Sequence, residues 1–467
     1  MSSSASETDP LIRPQVTIVA QRTPKFAWLV PVVLLASISR GISMFARYEY
    51  YQSTFCPDSN YTCGWFERWL ELPSITVQMQ MWSMFASFVV SFVSVGWWSE
   101  LGDRRGRRIV LFCSISGALL VDLIYLIVAS VPSLHEDPLD SLSLGLIIEG
   151  LLGGFATYTG VAHAYTFDVA PTPLFRLLLF GALNALSLVG FILGAIIGNS
   201  TRNNVAYILS IVFALLNLAF IYAILPESLK PNDNRPVAPQ RAVLKTIVSP
   251  FSVFFRGPQS RRYLPLLALS FYIYSLAQNL DVSIIFIADR AQYLTIFPRW
   301  LLLSVPRVIN LATLLCILPA IAWLFKRTHG DTNRAATALA TAVAQNSILV
   351  AALSCMGVLV FCLPARSPLL YALFTIMHPF TVAAGPALYA LGAQHFLALG
   401  RAHEIGALFG ALSVWGALAQ YVSFTLYPGF EPPAFFFIVS LVLLMRDAPP
   451  APEEEAALDS AGDAARV

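Results

Sequence analysis

A chain of 467 residues with 57% hydrophobic and only 12% charged side chains holds more apolar material than one soluble core can bury, so it reads as a membrane protein. Its net charge of +2 gives no basis for nucleic-acid binding. There is no His-Glu-x-x-His pair, paired-aspartate motif, nucleophile and base at a set spacing, or nucleotide-binding loop, which argues against an enzyme, an ATP-driven pump and any cofactor or metal.

In chain order, residues 1–25 are polar and lack an apolar core with a cleavage site, so the first span is expected to act as its own insertion signal. Within this tail Glu7-Thr8-Asp9-Pro10-Leu11-Ile12 resembles an acidic dileucine sorting signal, which would favour a vacuolar over a plasma membrane; a plain linker is the alternative. Apolar runs of about 20 residues place spans near 26–46, 74–98, 109–131, 144–167, 176–198 and 205–225, then near 263–288, 300–325, 337–362, 367–393, 403–427 and 432–446. The last is short, at about 22 Å of helix against a hydrocarbon core of about 30 Å.

The expected fold is an all-α membrane protein of twelve transmembrane helices in two six-helix bundles, residues 26–225 and 263–446. Between them, residues 226–262 form a polar linker whose apolar positions from Val243 to Phe255 recur at helical spacing, as in a helix lying on the membrane surface. Residues 447–467 are Pro-, Ala- and acid-rich, and disorder is expected there. Lys and Arg gather on one side of this map, which puts both termini in the cytosol. The two Asn-x-Ser/Thr triplets, at Asn60 and Asn199, fall in exterior loops as candidate glycosylation sites. Cys56 and Cys63 share the first exterior loop, where a disulfide is expected and two free thiols are the alternative.

The most specific stretch is Ser99-Glu100-Leu101-Gly102-Asp103-Arg104-Arg105-Gly106-Arg107-Arg108, four arginines within five positions between two apolar runs. Such charge cannot lie in hydrocarbon, and the positive-inside bias places it at the cytosolic face. It resembles the loop signature of the major facilitator superfamily between its second and third helices, Gly-x-x-x-Asp-Arg-x-Gly-Arg-Arg, with Ser99 in place of the first glycine. The six-plus-six organisation resembles that superfamily too. In the fourth span Glu149-Gly150-Leu151-Leu152-Gly153-Gly154, with Ala164-Tyr165 and Asp168, is similar to the branch of proton-coupled folate transporters, haem-carrier proteins and their fungal relatives, as is Arg47-Tyr48-Glu49 running to Cys56. Many facilitators carry arginine where Glu149 stands. Gly181, Gly190, Gly194 and Gly198 in the fifth span half-match the glycine motif of proton-driven exporters, with Ala195 and Asn199 departing from it; helix packing is the plainer reading.

The resemblance implies a gate, with Asp103 facing the amino end of the eleventh helix and Arg107 pairing with Asp168, flanked by Arg104, Gly106 and Arg108. Ionisable residues inside a bilayer are functional candidates. Here they are Arg40, Asp122, Glu149, Asp281 and Arg307. By resemblance the first, fourth and seventh helices line a central cavity that the eighth borders, so Arg40, Glu149, Asp281 and Arg307 are expected to converge from both halves, with Asp122 finding a structural partner. Glu149 or Asp281 would take a proton while the arginines hold an anionic group. Gln278, Asn279, Asn310 and His378 are the candidate polar contacts, with packing the alternative for His378. The expected function is a monomeric, proton-coupled secondary transporter of a small polar or anionic organic solute; a proton-driven exporter and a non-transporting sensor are the alternatives.

Overall fold

The computed structural model describes residues 23–55, 75–131, 139–201, 203–229, 252–255, 260–278, 299–357, 360, 367–426 and 438–442. Cys56, Cys63, Asn60, Asn279, Asp281, the dileucine-like tail, most of the linker and the C-terminal tail lie outside them. Among the described residues nine helical stretches are long and apolar enough to cross a bilayer. The chain runs α1 (Phe26–Phe55), α2 (Ile75–Arg105), α3 (Arg107–Ser130), α4 (Leu139–Leu151), α5 (Gly154–Val169), α6 (Pro173–Ser200) and α7 (Asn203–Ala223). It continues with α8 (Ser260–Gln278), α9 (Arg299–Ala312), α10 (Leu318–His329), α11 (Asn333–Gly357), α12 (Pro368–Met377), α13 (Ala384–Ala398) and α14 (Ile405–Leu426).

Four expected spans differ in instructive ways. The first was expected to end at residue 46, but α1 continues to Phe55. Arg47 turns inward onto Asp122, and Tyr50 is buried with its ring edge-on to Tyr125 at 6.4 Å, so the added turns pack instead of entering a loop. The fourth span is divided into α4 and α5, and the tenth into α12 and α13 around a tight turn at His378–Ala383. The eighth carries a wide turn at Thr313–Ile317 just before Pro319, whose missing amide cannot continue the regular ladder.

Close packing on α1 explains Gly190, Gly194 and Gly198 of the fifth span, while Gly181 faces Leu318 of α10. A Cβ at Gly190 or Gly198 would come within 2.9 Å of the carbonyl oxygens of Leu34 and Ile42, and one at Gly194 would run into that of Ile38. The small residues let α6 press against α1, which accounts for them without reference to any direction of transport. Facing serines join the first and sixth spans: the Ser39 hydroxyl donates to the Ser210 carbonyl at 3.1 Å, and the Ser210 hydroxyl lies 2.9 Å from the hydroxyl and the carbonyl of Ser39. Ser270 and Ser440 form the same clasp, at 3.0 Å, about 230 positions further along.

Candidate functional site

The break in the fourth span is encoded locally. Gly153 and Gly154 adopt φ of 104° and 59°, open to glycine at little cost, and the chain turns between α4 and α5 inside the apolar layer. Such a break leaves orphan carbonyls that lipid cannot satisfy. The Trp98 indole of α2 donates to the Leu151 carbonyl at 2.9 Å, and the Ser94 hydroxyl donates at 2.6 Å to the Gly150 carbonyl, which also accepts from the Gly153 amide at 3.0 Å. Ser91 packs against Gly154 so closely that a Cβ there would meet its hydroxyl.

A cavity of about 240 Å³ opens at this break, walled by α1 to α5 with residues of α7 and α14. Arg40 and Glu149 meet in it, Nη1 to Oε1 3.8 Å, with the Arg40 guanidinium 3.9 Å above the Phe155 ring. Beside them Arg47 Nη2 reaches Asp122 Oδ1 at 2.7 Å, and Asp122 also accepts from the hydroxyls of Ser43 and of Ser210, the latter at 2.5 Å. Asp122 is thus held by three donors. Glu149 and Arg40 are further apart than a hydrogen bond requires. Arg40 is 47% exposed while Glu149 is 8% exposed.

Of the expected convergence from both halves, the first-half members are seen here, while Asp281 of the second half lies outside the described residues. Among the described residues the charged groups that line the cavity, Arg40, Arg47, Asp122 and Glu149, come from the first half. Arg307 and Asn310 sit on α9 and His378 opens the turn after α12; none of them lines it. Gln278 is engaged within its own half, its Oε1 accepting from the Thr381 hydroxyl at 2.8 Å. His378 was expected to face the cavity if its helix were regular; the tight turn that begins there removes that regularity. Asn199 is exposed near the end of α6.

At the end bearing the basic turn, Asp103 accepts from the backbone amides of Gly406 and Ala407 at 3.0 and 3.1 Å, at the amino end of α14. Arg107, fully buried, spans Asp103 at 2.6 Å and Asp168 at 3.3 Å. Arg104 pairs with Glu100 on its own helix, and Arg108 donates to the Tyr222 carbonyl. Ser99 rests against Gly410, so the small residue missing from the turn stands on the facing helix.

Sequence reasoning missed four participants. Glu227 caps α3, accepting from the amides of Arg107 at 2.7 Å and Arg108 at 3.1 Å, and a side chain at Gly106, with φ of 114°, would strike it. An isolated acid just past the sixth apolar run was its only sequence signal. Asp331, in the turn between α10 and α11, accepts from the Leu174 amide at 3.4 Å and from Lys326 at 3.0 Å. Partial burial pushes its carboxyl up, but hydrogen bonds from Lys326, Thr172 and the Leu174 amide, with the Lys326 charge, outweigh that and hold it below the usual aspartate range. His163 on α5 stacks on Tyr389 of α13 at 4.0 Å between the halves. Arg47 was assigned to an exterior segment.

The Major Facilitator Superfamily family model matches residues 29–424. The chain is 25% identical over 222 residues to the MFS-type transporter avaJ of Aspergillus versicolor, a match covering 45% of this chain and 42% of that protein, so the chain spans less than half the length of this relative. Among solved structures it is similar to the human organic anion transporter MFSD10 (TM-score 0.65, 17% identity, 91% of this chain and 99% of that one). It is also similar to the E. coli fucose:proton symporter FucP (TM-score 0.58, 15% identity, 91% and 98%) and to a bacterial homologue of the iron transporter ferroportin in an outward-facing state (TM-score 0.61, 12% identity, 90% and 97%).

Proposed function

The chain belongs to the Major Facilitator Superfamily, and from that premise we propose that this multi-pass membrane transporter is proton-coupled and moves a small polar or anionic organic solute by rocking its two halves about a central site. The observation that carries the reading is the Arg40–Glu149 pair, set at a built break in a membrane helix and left at 3.8 Å. Protonation of Glu149 cancels its charge and frees Arg40 for an anionic group on the solute; loss of the proton restores the pair and expels the solute. Proton and solute then favour each other's binding, which is the thermodynamic requirement for symport. The fucose:proton symporter and the organic anion transporter among the structural neighbours support the same class.

The basic turn lies on the cytosolic side, as the positive-inside bias favours, with both termini on that side. Asp103, Arg107 and Asp168 hold that side shut, and the cycle breaks these contacts when it opens. The test is proton movement in vesicles reconstituted with the protein, across a panel of organic anions and neutral solutes. Proton entry with a solute is expected, and Glu149→Gln should abolish proton-driven accumulation while keeping solute exchange. Unchanged accumulation in Glu149→Gln and Asp281→Asn overturns the reading; proton movement against the solute replaces it with an exporter.

A further inference from the structure

The break in the fourth span has more polar capacity than the Arg40–Glu149 pair uses. Tyr158, one turn into α5, and Ser114 on α3 both line the cavity, are 8% and 3% exposed, and carry buried hydroxyls with no hydrogen-bond partner. Leaving such groups unpaired is unfavourable, so two around one cavity mark a place for an acceptor. Gly154, Phe155 and Ala156 line the same cavity. They open α5, a helix of 16 residues, and the first amides of a helix lack acceptors within it while its dipole favours an anion.

Charge balance narrows the ligand. Among the described residues the charged groups lining the cavity are Arg40 and Arg47 from α1, Asp122 from α3 and Glu149 from α4; the phenols are Tyr125, Tyr158 and, from α14, Tyr421. Two positive and two negative charges cancel, and Arg47 is committed to Asp122. With Glu149 protonated, one positive charge remains, centred on Arg40. A monoanion neutralises it, whereas a dianion leaves a second charge buried without a partner. The volume of about 240 Å³ falls below the roughly 300–1,000 Å³ of drug-sized sites, which suits a solute of one ring or a short chain.

We infer that the cavity binds the carboxylate of a small organic monoanion, one oxygen on Arg40 and the other on the α5 amino end, Tyr158 and Ser114, with an apolar body against Phe88, Phe92 and Tyr421. The anion travels with one proton on Glu149, so the loaded step moves no net charge. This rests on the symport reading above and assigns its substrate class.

The experiment uses purified full-length protein and three probes: benzoate, its neutral analogue benzamide, and the dianion phthalate. Benzoate is expected to raise the thermal midpoint and to bind more tightly in acid than in alkali, with the other two about tenfold weaker or worse. Tyr158→Phe and Ser114→Ala, each lacking one oxygen, should keep the ligand-free midpoint and weaken benzoate about tenfold. Glu149→Gln should bind benzoate without the pH dependence. Equal binding of benzoate and benzamide, equal binding of phthalate, binding of none, or wild-type affinity in both hydroxyl variants overturns the inference. If benzoate binds as stated but drives no proton flux in vesicles, the symport reading fails and the anion site stands. If a neutral solute drives proton flux and benzoate does not bind, the site falls and the symport reading stands.

Discussion

Two turns about 230 positions apart do the same job with different materials. Asp103 beside Gly106 caps the amino end of α14, in the opposite half, and Asp331 beside Gly330 reaches the amino end of α6, again in the opposite half. Both glycines hold positive φ, 114° and 76°. The first turn is sealed, with Arg107 fully buried between two carboxylates and Glu227 filling the space beside Gly106. The second is open: Lys326 is 57% exposed, and nothing lies within 4 Å of where a Cβ on Gly330 would sit. The interior repeats the contrast, since the Ser39–Ser210 clasp is joined to Asp122 and the charged cavity while Ser270–Ser440 stands alone in its half among the described residues. The two halves share this scaffold, and among the described residues the charged cavity is built on one copy.

The largest effect should come from the sealed turn. Arg107→Met leaves Asp103 and Asp168 buried without their cation, and an uncompensated buried charge costs about 3–5 kcal/mol; a drop in thermal midpoint measures it, and adding Asp103→Asn should recover part of the loss. Next are the glycines. Gly330→Ala meets only backbone strain, on the order of 1–3 kcal/mol. Gly106→Ala adds the displacement of Glu227 from two amides, so it should lower the midpoint further; equal shifts would mean that the two turns are energetically alike.

The two aspartates sharpen the comparison through kinetics. Asp103→Asn removes a charge from the amino end of α14 and from Arg107, and it should damage turnover more than solute affinity; equal loss of both argues against a gate. Asp331→Asn should do the same more weakly, within about 1 kcal/mol, because its cation is exposed and screened. Since the Asp331 carboxyl is held below its ordinary range, its contribution is complete above that range and is lost only as pH falls through the lowered value. Turnover differences between wild type and Asp331→Asn should therefore stay constant near neutrality and shrink in strong acid.

These contrasts also show what could be read from residues alone. The basic turn announced itself because four arginines between apolar runs have one physical solution, and its contacts to α14 and Asp168 followed from the resemblance. The apolar runs located the helices for the same reason, except where Pro319, Pro379 and Gly153-Gly154 interrupt the ladder. Arg47 was misplaced because hydropathy treats an arginine after an apolar run as a terminus, while here Asp122 draws it inward. Asp331 and Glu227 act on amides far along the chain, so neither has a local pattern. Arg307 does not line the described cavity, because membership of a lining helix does not say which face its side chain occupies, and Asp281 lies outside the described residues.

The smallest test separates scaffold from site. Ser270 and Ser440 exchange hydrogen bonds only with each other and their backbones among the contacts described, so Ser440→Ala should cost about 0.5–1.5 kcal/mol and leave proton-driven uptake unchanged. Ser210→Ala breaks the matching clasp and also takes one of three donors from Asp122, which raises the share of that carboxylate's charge borne by Arg47 and Ser43. It should therefore destabilise more than Ser440→Ala and weaken benzoate binding as well, since Asp122, Arg47 and Arg40 share one cavity. Equal stability losses with unaltered binding in both variants would place the first clasp outside the site and reduce the contrast between the halves to the sealed turn alone.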